Sequence, residues 1–389
     1  MTITVPGPTL GVVGGGQLGR MLAEAAAPLG VEVIVLDPTP DCPAAPVARD
    51  QIVGDFDDPD AIRRLADRTD ALTYEIELAD PDYLADASED ADVPVHPTPE
   101  TLRTIQDKFA EKEMLSAAGI PVPAYRRVDS VADVQAAVEE FGAVMLKARH
   151  GGYDGRGNVP VRSVDDAEDA ISEVGSVDDP DALAETFVDF EREVSVIGVQ
   201  GEADVRTFPV GENVHEEEIL RETVVPARTS DDVKERAQSV ARDVLDALDG
   251  RGVFGIELFE TADGDILVNE IAPRPHNSGH WSIEGAVTSQ FEQHARAVLG
   301  WPLGSTRQRA PTVSANVLGT VDETQPAELA GVENVLDREA AHLHWYGKDD
   351  VRPLRKMGHV TATDEGGDPA HVTALLESTR ELRDSLTFQ

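Results

Sequence analysis

Four groups of residues in this chain have types and spacings that point to chemistry: two glycine-rich stretches, a pair of strand carboxylates and a knot of cations. Gly14-Gly15-Gly16-Gln17-Leu18-Gly19 fits a G-x-G-x-x-G turn between an apolar strand and a helix, and Asp37 closes the next strand. Glycines there permit a tight turn and close backbone approach, and the free N–H groups of a helix start favour a phosphate. By itself this pattern suits a nicotinamide dinucleotide and a mononucleotide phosphate equally. The second stretch, Lys147-Ala148-Arg149-His150-Gly151-Gly152-Tyr153-Asp154-Gly155-Arg156-Gly157, puts a strand-end lysine before a loop with four glycines and two further cations. Such a loop can fold over a triphosphate, with N–H groups on its oxygens and lysine as a point charge. No Gly-Lys-Ser/Thr follows, so this is not a Walker motif.

Glu257 and Asn269-Glu270 lie near the ends of two apolar strands joined through Asp263-Gly264, so they offer oxygen ligands on neighbouring strands. Magnesium takes one or two carboxylates together with substrate phosphates, and an asparagine can complete its sphere. The polar loop Arg274-Pro275-His276-Asn277-Ser278-Gly279-His280-Trp281 follows directly and is dense in donors. His342 and His344 alternate on a strand without a third ligand and read as structural. No Ser-His-Asp elbow or His-Glu-x-x-His motif occurs, and Cys42, the only cysteine, excludes an intrachain disulfide and any cysteine-built metal site.

These groups need elements to position them. Leu10 to Val13, Leu18 to Leu29 and Val31 to Leu36 read as strand, helix and strand, a βαβ unit that implies a parallel sheet. A helix over Ala61 to Asp67 and a strand over Ala71 to Ile76 follow, the strand delivering Glu75 and Glu77. Thr98 caps a helix that the pattern carries to Gly119, and the first domain boundary falls near it. Ser130 with Asp133 starts another helix, and the strand Val144 to Leu146 presents Lys147. Two short strands around Val194 and Val199, an amphipathic helix from Asp231 to Leu248, a hairpin of Val253 to Phe259 with Ile266 to Ile271, and a last helix near Val372 to Leu382 complete the expected elements.

At 389 residues the chain has room for two or three domains. With 74 acidic and 33 basic residues its net charge is −41, and only six of the basic residues are lysine. The acids are spread along the chain, which points to adaptation to a salt-rich cytoplasm, where charges are screened within about 3 Å at molar salt. Such a surface disfavours nucleic acid. No apolar run is long enough to span a membrane, and Met1 to Leu10 carries no basic residue, so a cytosolic location without a signal peptide is expected. Against this background Lys348, Arg352, Arg355 and Lys356, four cations in nine residues, call for an anionic ligand.

Taken together, GGGQLGRM (14–21), YEIE (74–77), KARHGGYDGRGN (147–158), FEREVSV (190–196), ENVHEEEIL (212–220), FGIELF (254–259), NEIAPRPHNSGHW (269–281) and HWYGKDDVRPLRKMGH (344–359) resemble the ATP-grasp superfamily. Within it they are similar to the N5-carboxyaminoimidazole ribonucleotide synthetase family. The resemblance implies an α/β fold with three lobes: a doubly wound, parallel-sheet N-terminal domain (1–104), a small central α+β lid (105–184) and a C-terminal α+β domain (185–389). It implies ATP and two magnesium ions, with Lys108 and Lys147 on the phosphates and Gly152, Tyr153, Asp154, Gly155, Arg156, Gly157 and Asn158 covering them. Glu185, Thr186, Phe187 and Val188 would hold the adenine, Glu193 the ribose, His215 the pocket wall, and Glu257, Glu270 and Asn269 the metal. The phosphate of 5-aminoimidazole ribonucleotide would rest on Gln17, Leu18, Lys348 and Arg355. Tyr153, Asp154, Arg156, His276, Asn277 and Ser278 would surround bicarbonate and the amine, with Glu75, or its neighbour Glu77, near the imidazole. A homodimer, and a separate downstream mutase, are further implications. A formate-dependent ATP-grasp transformylase and an NAD-dependent oxidoreductase are the competing readings.

Overall fold

The structure, a computed structural model, describes residues 3–151, 157–175, 181–364, 366–367 and 371–389. Period-two apolar runs near the N-terminus form β1 (Thr9–Val13), β2 (Glu32–Asp37), β3 (Asp50–Val53) and β4 (Ala71–Tyr74), all parallel and ordered β3-β2-β1-β4. Successive strand side chains point to opposite faces. Leu10, Val12, Val33 and Val35 therefore pack on Leu18, Met21 and Leu22 of α1 (Gln17–Ala26), whereas Val13, Ile34, Leu36 and Tyr74 meet α2 (Pro59–Ala66) and α3 (Pro81–Ala91) on the other side. Helices cover both faces, as the doubly wound reading requires. Strand order reverses beside β1, so the crevice beyond the carboxyl ends of β1 and β4 is a topological switch point, where such sheets take ligands.

The helix expected from Thr98 to Gly119 is two helices, α4 (Pro99–Gln106) and α5 (Lys108–Ala117). Asp107 adopts an extended backbone between them, and its carboxylate accepts the N–H groups of Phe109 and Ala110. A capping aspartate thus overrides an uninterrupted helical pattern and makes Lys108 the first residue of α5. Next come β5 (Tyr125–Val128), α6 (Val131–Phe141), β6 (Val144–Ala148), β7 (Asn158–Val161), α7 (Ala167–Val174) and β8 (Ala182–Thr186). These strands form an antiparallel sheet ordered β5-β8-β6-β7, with α6 and α7 packed against it. That sheet runs on through Thr186, past residue 184, where the central lobe was expected to end.

The largest sheet has nine strands among the described residues. It contains β9 (Phe190–Gln200), β10 (Val205–Thr207), β11 (Gly211–Glu216), β12 (Ile219–Val225), β13 (Gly252–Thr261), β14 (Ile266–Ala272), β15 (Thr312–Leu318) and the strands Lys356–Thr363 and Ala341–Trp345. The two short strands read around Val194 and Val199 are one continuous strand, β9. The expected hairpin is β13 with β14, in a register that sets Glu257 opposite Glu270. Helix α8 (Asp231–Ala247) covers this sheet through Val233, Ala237 and Val244. Among the described residues no helix is long and apolar enough to cross a membrane.

Candidate functional site

The glycine turn after β1 is closed by the carboxylate of the residue that follows β4. Glu75 accepts the N–H groups of Gly16 and of Gly19, the latter at 2.7 Å. Burial pushes its pKa up to about 7, against the pull of those two N–H groups. Asp37 is engaged as well, accepting from Gly15 at 2.9 Å and from Thr39 at 2.8 Å. Both acids are thus tied to backbone N–H groups in and beside the turn, while Gln17 and Leu18 keep first-turn N–H groups that have no helical carbonyl to meet. Gly14 has φ +107°, and a Cβ there would collide with Glu75 Cγ. Gly14→Ala is therefore expected to destabilise the fold by about 1–3 kcal/mol, measurable as a lowered chemical-denaturation midpoint.

Glu77 is separated from Glu75 by its partner: Arg274 reaches it at 2.8 and 2.9 Å. Lys348 approaches the turn from the C-terminal lobe. Its ammonium donates to Lys356 O at 2.7 Å and lies 5.7 Å from the Tyr346 ring, which is buried in the same core as α1. Burial and the charge of Arg355 lower its pKa to about 8, opposed by the charge of Glu75. Arg355, lowered by burial and by Arg352, donates to Asp350 O at 2.6 Å.

Across the molecule, β6 delivers Lys147 to within 2.6 Å of Glu185 on β8 and 3.2 Å of Asn269 Oδ1 on β14. Burial opposes its charge, but Glu185 and Glu270 win and raise its pKa. Sequence reasoning missed the companion cation. Lys112, 2% exposed, places its ammonium 2.9 Å from Glu185 and donates to the carbonyls of Val268 (3.1 Å) and Asn269 (2.8 Å). Glu185, though buried, is held down to about 2 by the two lysines. Glu111 is also buried, and its pKa rises to about 8 by desolvation. Lys108 donates to Gly151 O at 2.8 Å, at the stem of the glycine loop. Glu193 lies 3.1 Å from His215 Nδ1; burial works against charge on that histidine, yet Glu193 and Glu257 raise its pKa. Phe187 is exposed, and Val188, which follows it, is half-buried.

Glu257 is pushed up to about 7, first by burial and then by the charge of Glu270 opposite. His276 Nε2 stands 3.8 Å from Glu257, and burial keeps the ring neutral. The Ser278 N–H points at His276 Nδ1 (3.3 Å), which makes that atom the acceptor and leaves the ring proton on Nε2, toward Glu257. Asn277 Nδ2 is buried and has no partner among the described residues, as a donor awaiting an anion would. No group of three or more histidine, cysteine and carboxylate side chains placed to hold a metal ion occurs among the described residues. Gly152, Tyr153, Asp154, Gly155 and Arg156 lie outside the described residues; Gly157 and Asn158, at the far stem, pair with Ala148 and Lys147.

Family models match three consecutive segments: a ribonucleotide synthetase preATP-grasp domain over residues 8–106, an ATP-grasp domain over 113–291 and a phosphoribosylaminoimidazole carboxylase C-terminal domain over 312–368. The N5-carboxyaminoimidazole ribonucleotide synthase of Brucella melitensis is 44% identical over 361 residues, covering 92% of this chain and 96% of that one. The chain belongs to the N5-carboxyaminoimidazole ribonucleotide synthase family. The Bacillus subtilis synthase is 38% identical, with 92% of each chain covered. Among solved structures, a synthase from Aspergillus clavatus in complex with ADP and 5-aminoimidazole ribonucleotide superposes with a TM-score of 0.88 at 35% identity, covering 97% of this chain and 98% of that one. The Thermotoga maritima synthetase gives 0.87 at 41%, covering 98% and 99%. Residues 274–278 lie between the glycine turn and the lysine cluster: Arg274 pairs with Glu77 and also feels the more distant charges of Glu75 and Glu270, and His276 stands 3.8 Å from Glu257.

Proposed function

We propose that this chain carboxylates the exocyclic amine of 5-aminoimidazole ribonucleotide with ATP and bicarbonate, giving N5-carboxyaminoimidazole ribonucleotide for purine biosynthesis. The approach of loop 274–278 both to the glycine turn, through Arg274 and its pair with Glu77, and to the carboxylates beside the lysine cluster, through His276, carries this reading, because it lets a phosphorylated donor and a phosphate-anchored amine meet. A bicarbonate oxygen attacks the γ-phosphorus and the bond to ADP breaks, giving carboxyphosphate. The amine nitrogen then takes the carboxyl carbon, directly or as released carbon dioxide, as inorganic phosphate departs and the nitrogen loses a proton. Lys147 and Lys108 neutralise charge on the transferring phosphoryl group. Glu193 holds the ribose, His215 lines the nucleotide pocket, and the backbone at Glu185 to Val188 borders the adenine. Gln17 and Leu18 N–H groups, Lys348 and Arg355 anchor the ribonucleotide phosphate, with Glu75 beside the imidazole. His276 Nε2–H, Asn277 and Ser278 orient the carboxylate, and Tyr153, Asp154 and Arg156 keep the roles implied by the resemblance.

The adjacent carboxylates Glu257 and Glu270, the first pushed up to about 7 by burial and then by the charge of the second, fit magnesium with help from Asn269. When bound, the ion supplies charge neutralisation at the phosphates. The protein works as a homodimer in a salt-rich cytoplasm, and another enzyme moves the carboxyl group from nitrogen to carbon.

The deciding experiment is phosphate release from ATP with magnesium in molar potassium chloride, omitting bicarbonate and 5-aminoimidazole ribonucleotide in turn. Release should require the ribonucleotide and rise with bicarbonate; indifference to both would remove the reading. Since the net charge is −41, the thermal midpoint should fall as potassium chloride is lowered from about 2 M to about 0.1 M, where like charges repel over distances of about 10 Å. A midpoint independent of salt would contradict the adaptation.

A further inference from the structure

We propose that Gln290 is a positioning residue for carboxyl transfer, fixing the His276 loop against the glycine turn that cradles the acceptor; this rests on the function proposed above. Gln290 is fully buried at the first turn of the helix Gln290–Val298. Its Oε1 accepts the His276 N–H at 2.9 Å, its Nε2 donates to the His276 carbonyl at 2.7 Å, and the same nitrogen is 3.3 Å from His280 Nδ1. One side-chain amide thus meets both backbone groups of His276, as a neighbouring strand would. The backbone N–H of Gln290 donates to Ser282 Oγ at 3.0 Å, and that hydroxyl donates to Gly279 O at 2.6 Å. A Cβ on Gly279 would strike the Gln290 amide, so the loop and the amide are in close contact.

The requirement is for an amide in particular. Buried backbone groups need partners, and glutamine offers a donor and an acceptor side by side. An aliphatic residue fills the space and satisfies neither group, and a carboxylate sets an acceptor against the His276 carbonyl.

The same helix grips the acceptor side. Phe291, Ala295 and Val298 pack in the core beneath α1, whose first turn carries Gln17 and Leu18. His294 Nδ1 accepts the Val253 N–H at 3.0 Å, so its Nε2 carries the proton toward Thr73 Oγ1, 2.8 Å away on β4 and two residues before Glu75. A single helix therefore spaces His276 from Glu75 and α1, and hence the carboxyl donor from the amine. Carboxyphosphate that is misplaced meets water instead, so loosening this spacing uncouples ATP cleavage from transfer.

The test compares wild type, Gln290→Leu and Gln290→Glu for ATP KM, carboxylation kcat, thermal midpoint and the ratio of phosphate released to bicarbonate label fixed. Because a misplacement of about 1 Å costs about 10²-fold in rate, carboxylation kcat should fall about 10²-fold, with ATP KM changed less than about twofold and the ratio raised at least about threefold. A purely structural role lowers the midpoint and both activities together, and a ratio unchanged from wild type overturns the proposal. Should the Gln290 variants fail to fold, Ser282→Ala, which removes the second pin on the loop, must raise the ratio, and an unchanged ratio there overturns it equally. Wild-type enzyme whose phosphate release ignores the ribonucleotide would sink the proposed function and this inference with it, an outcome distinct from an unchanged variant ratio beside a ribonucleotide-dependent wild type, which overturns this inference alone.

Discussion

Lys147→Met is expected to lower kcat/KM for ATP by about 10²- to 10³-fold, the loss that follows removal of a preorganised charge from a phosphoryl-transfer site, about 2.7–4 kcal/mol. The lysine stands at the end of β6, and Glu185 and Glu270 keep it charged against burial. Its removal leaves Asn269 Oδ1 without that donor and Glu185 with Lys112 as its remaining cation. Breaking a buried ion network also costs stability, so activity and fold have to be separated. Glu185→Gln is the control: it removes the carboxylate's negative charge, keeps an oxygen for the lysines and leaves Lys147 in place. It should lower the unfolding midpoint while retaining much of the ATP affinity. Equal nucleotide affinity in Lys147→Met and wild type, by calorimetry, would take Lys147 out of the phosphate site.

What the sequence made legible was local. The glycine turn, the strand that ends at Lys147 and the hairpin bearing Glu257 and Glu270 each announce themselves through a period of two and a turn residue within a few positions. Pairings across the chain left no such mark. Lys112 sits in KFAEKEML, where it reads as one more charge on a solvated helix face; only contact with β8 and β14 buries it. Nor does YEIE disclose which acid meets the glycine turn, since the choice is made by Arg274, 197 residues beyond Glu77. Nothing in the sequence marks Gln290, because its partners are backbone atoms of a loop in irregular conformation. The break at Asp107 was invisible for a different reason. Its capping bonds compete with a helical pattern that continues on both sides, and propensity cannot weigh the two.

The same reasoning gives Lys348 a pH signature. Its ammonium is buried near Arg355, and both lower its pKa to about 8, while Glu75 pulls the other way. A phosphate anchor must be cationic, so the free enzyme binds 5-aminoimidazole ribonucleotide well below pH 8 and progressively less well above it. The kcat/KM for that substrate should therefore fall with pH above about 8, approaching tenfold per unit, whereas binding of ATP on the far side of loop 274–278 should not follow this limb. Unfolding cannot be its source through this residue. Between the folded pKa and the ordinary lysine value of 10.5 the unfolded chain binds the extra proton, so rising pH in that window favours the fold. Lys348→Met should lower kcat/KM for the ribonucleotide by about 10²-fold at pH 7 and abolish the limb, since no titrating cation remains at that position. Lys348→Arg should restore part of the affinity and carry it unchanged through pH 9, because a guanidinium stays charged there. A limb that persists in Lys348→Met would assign the titration to another group and leave Lys348 without its place at the phosphate.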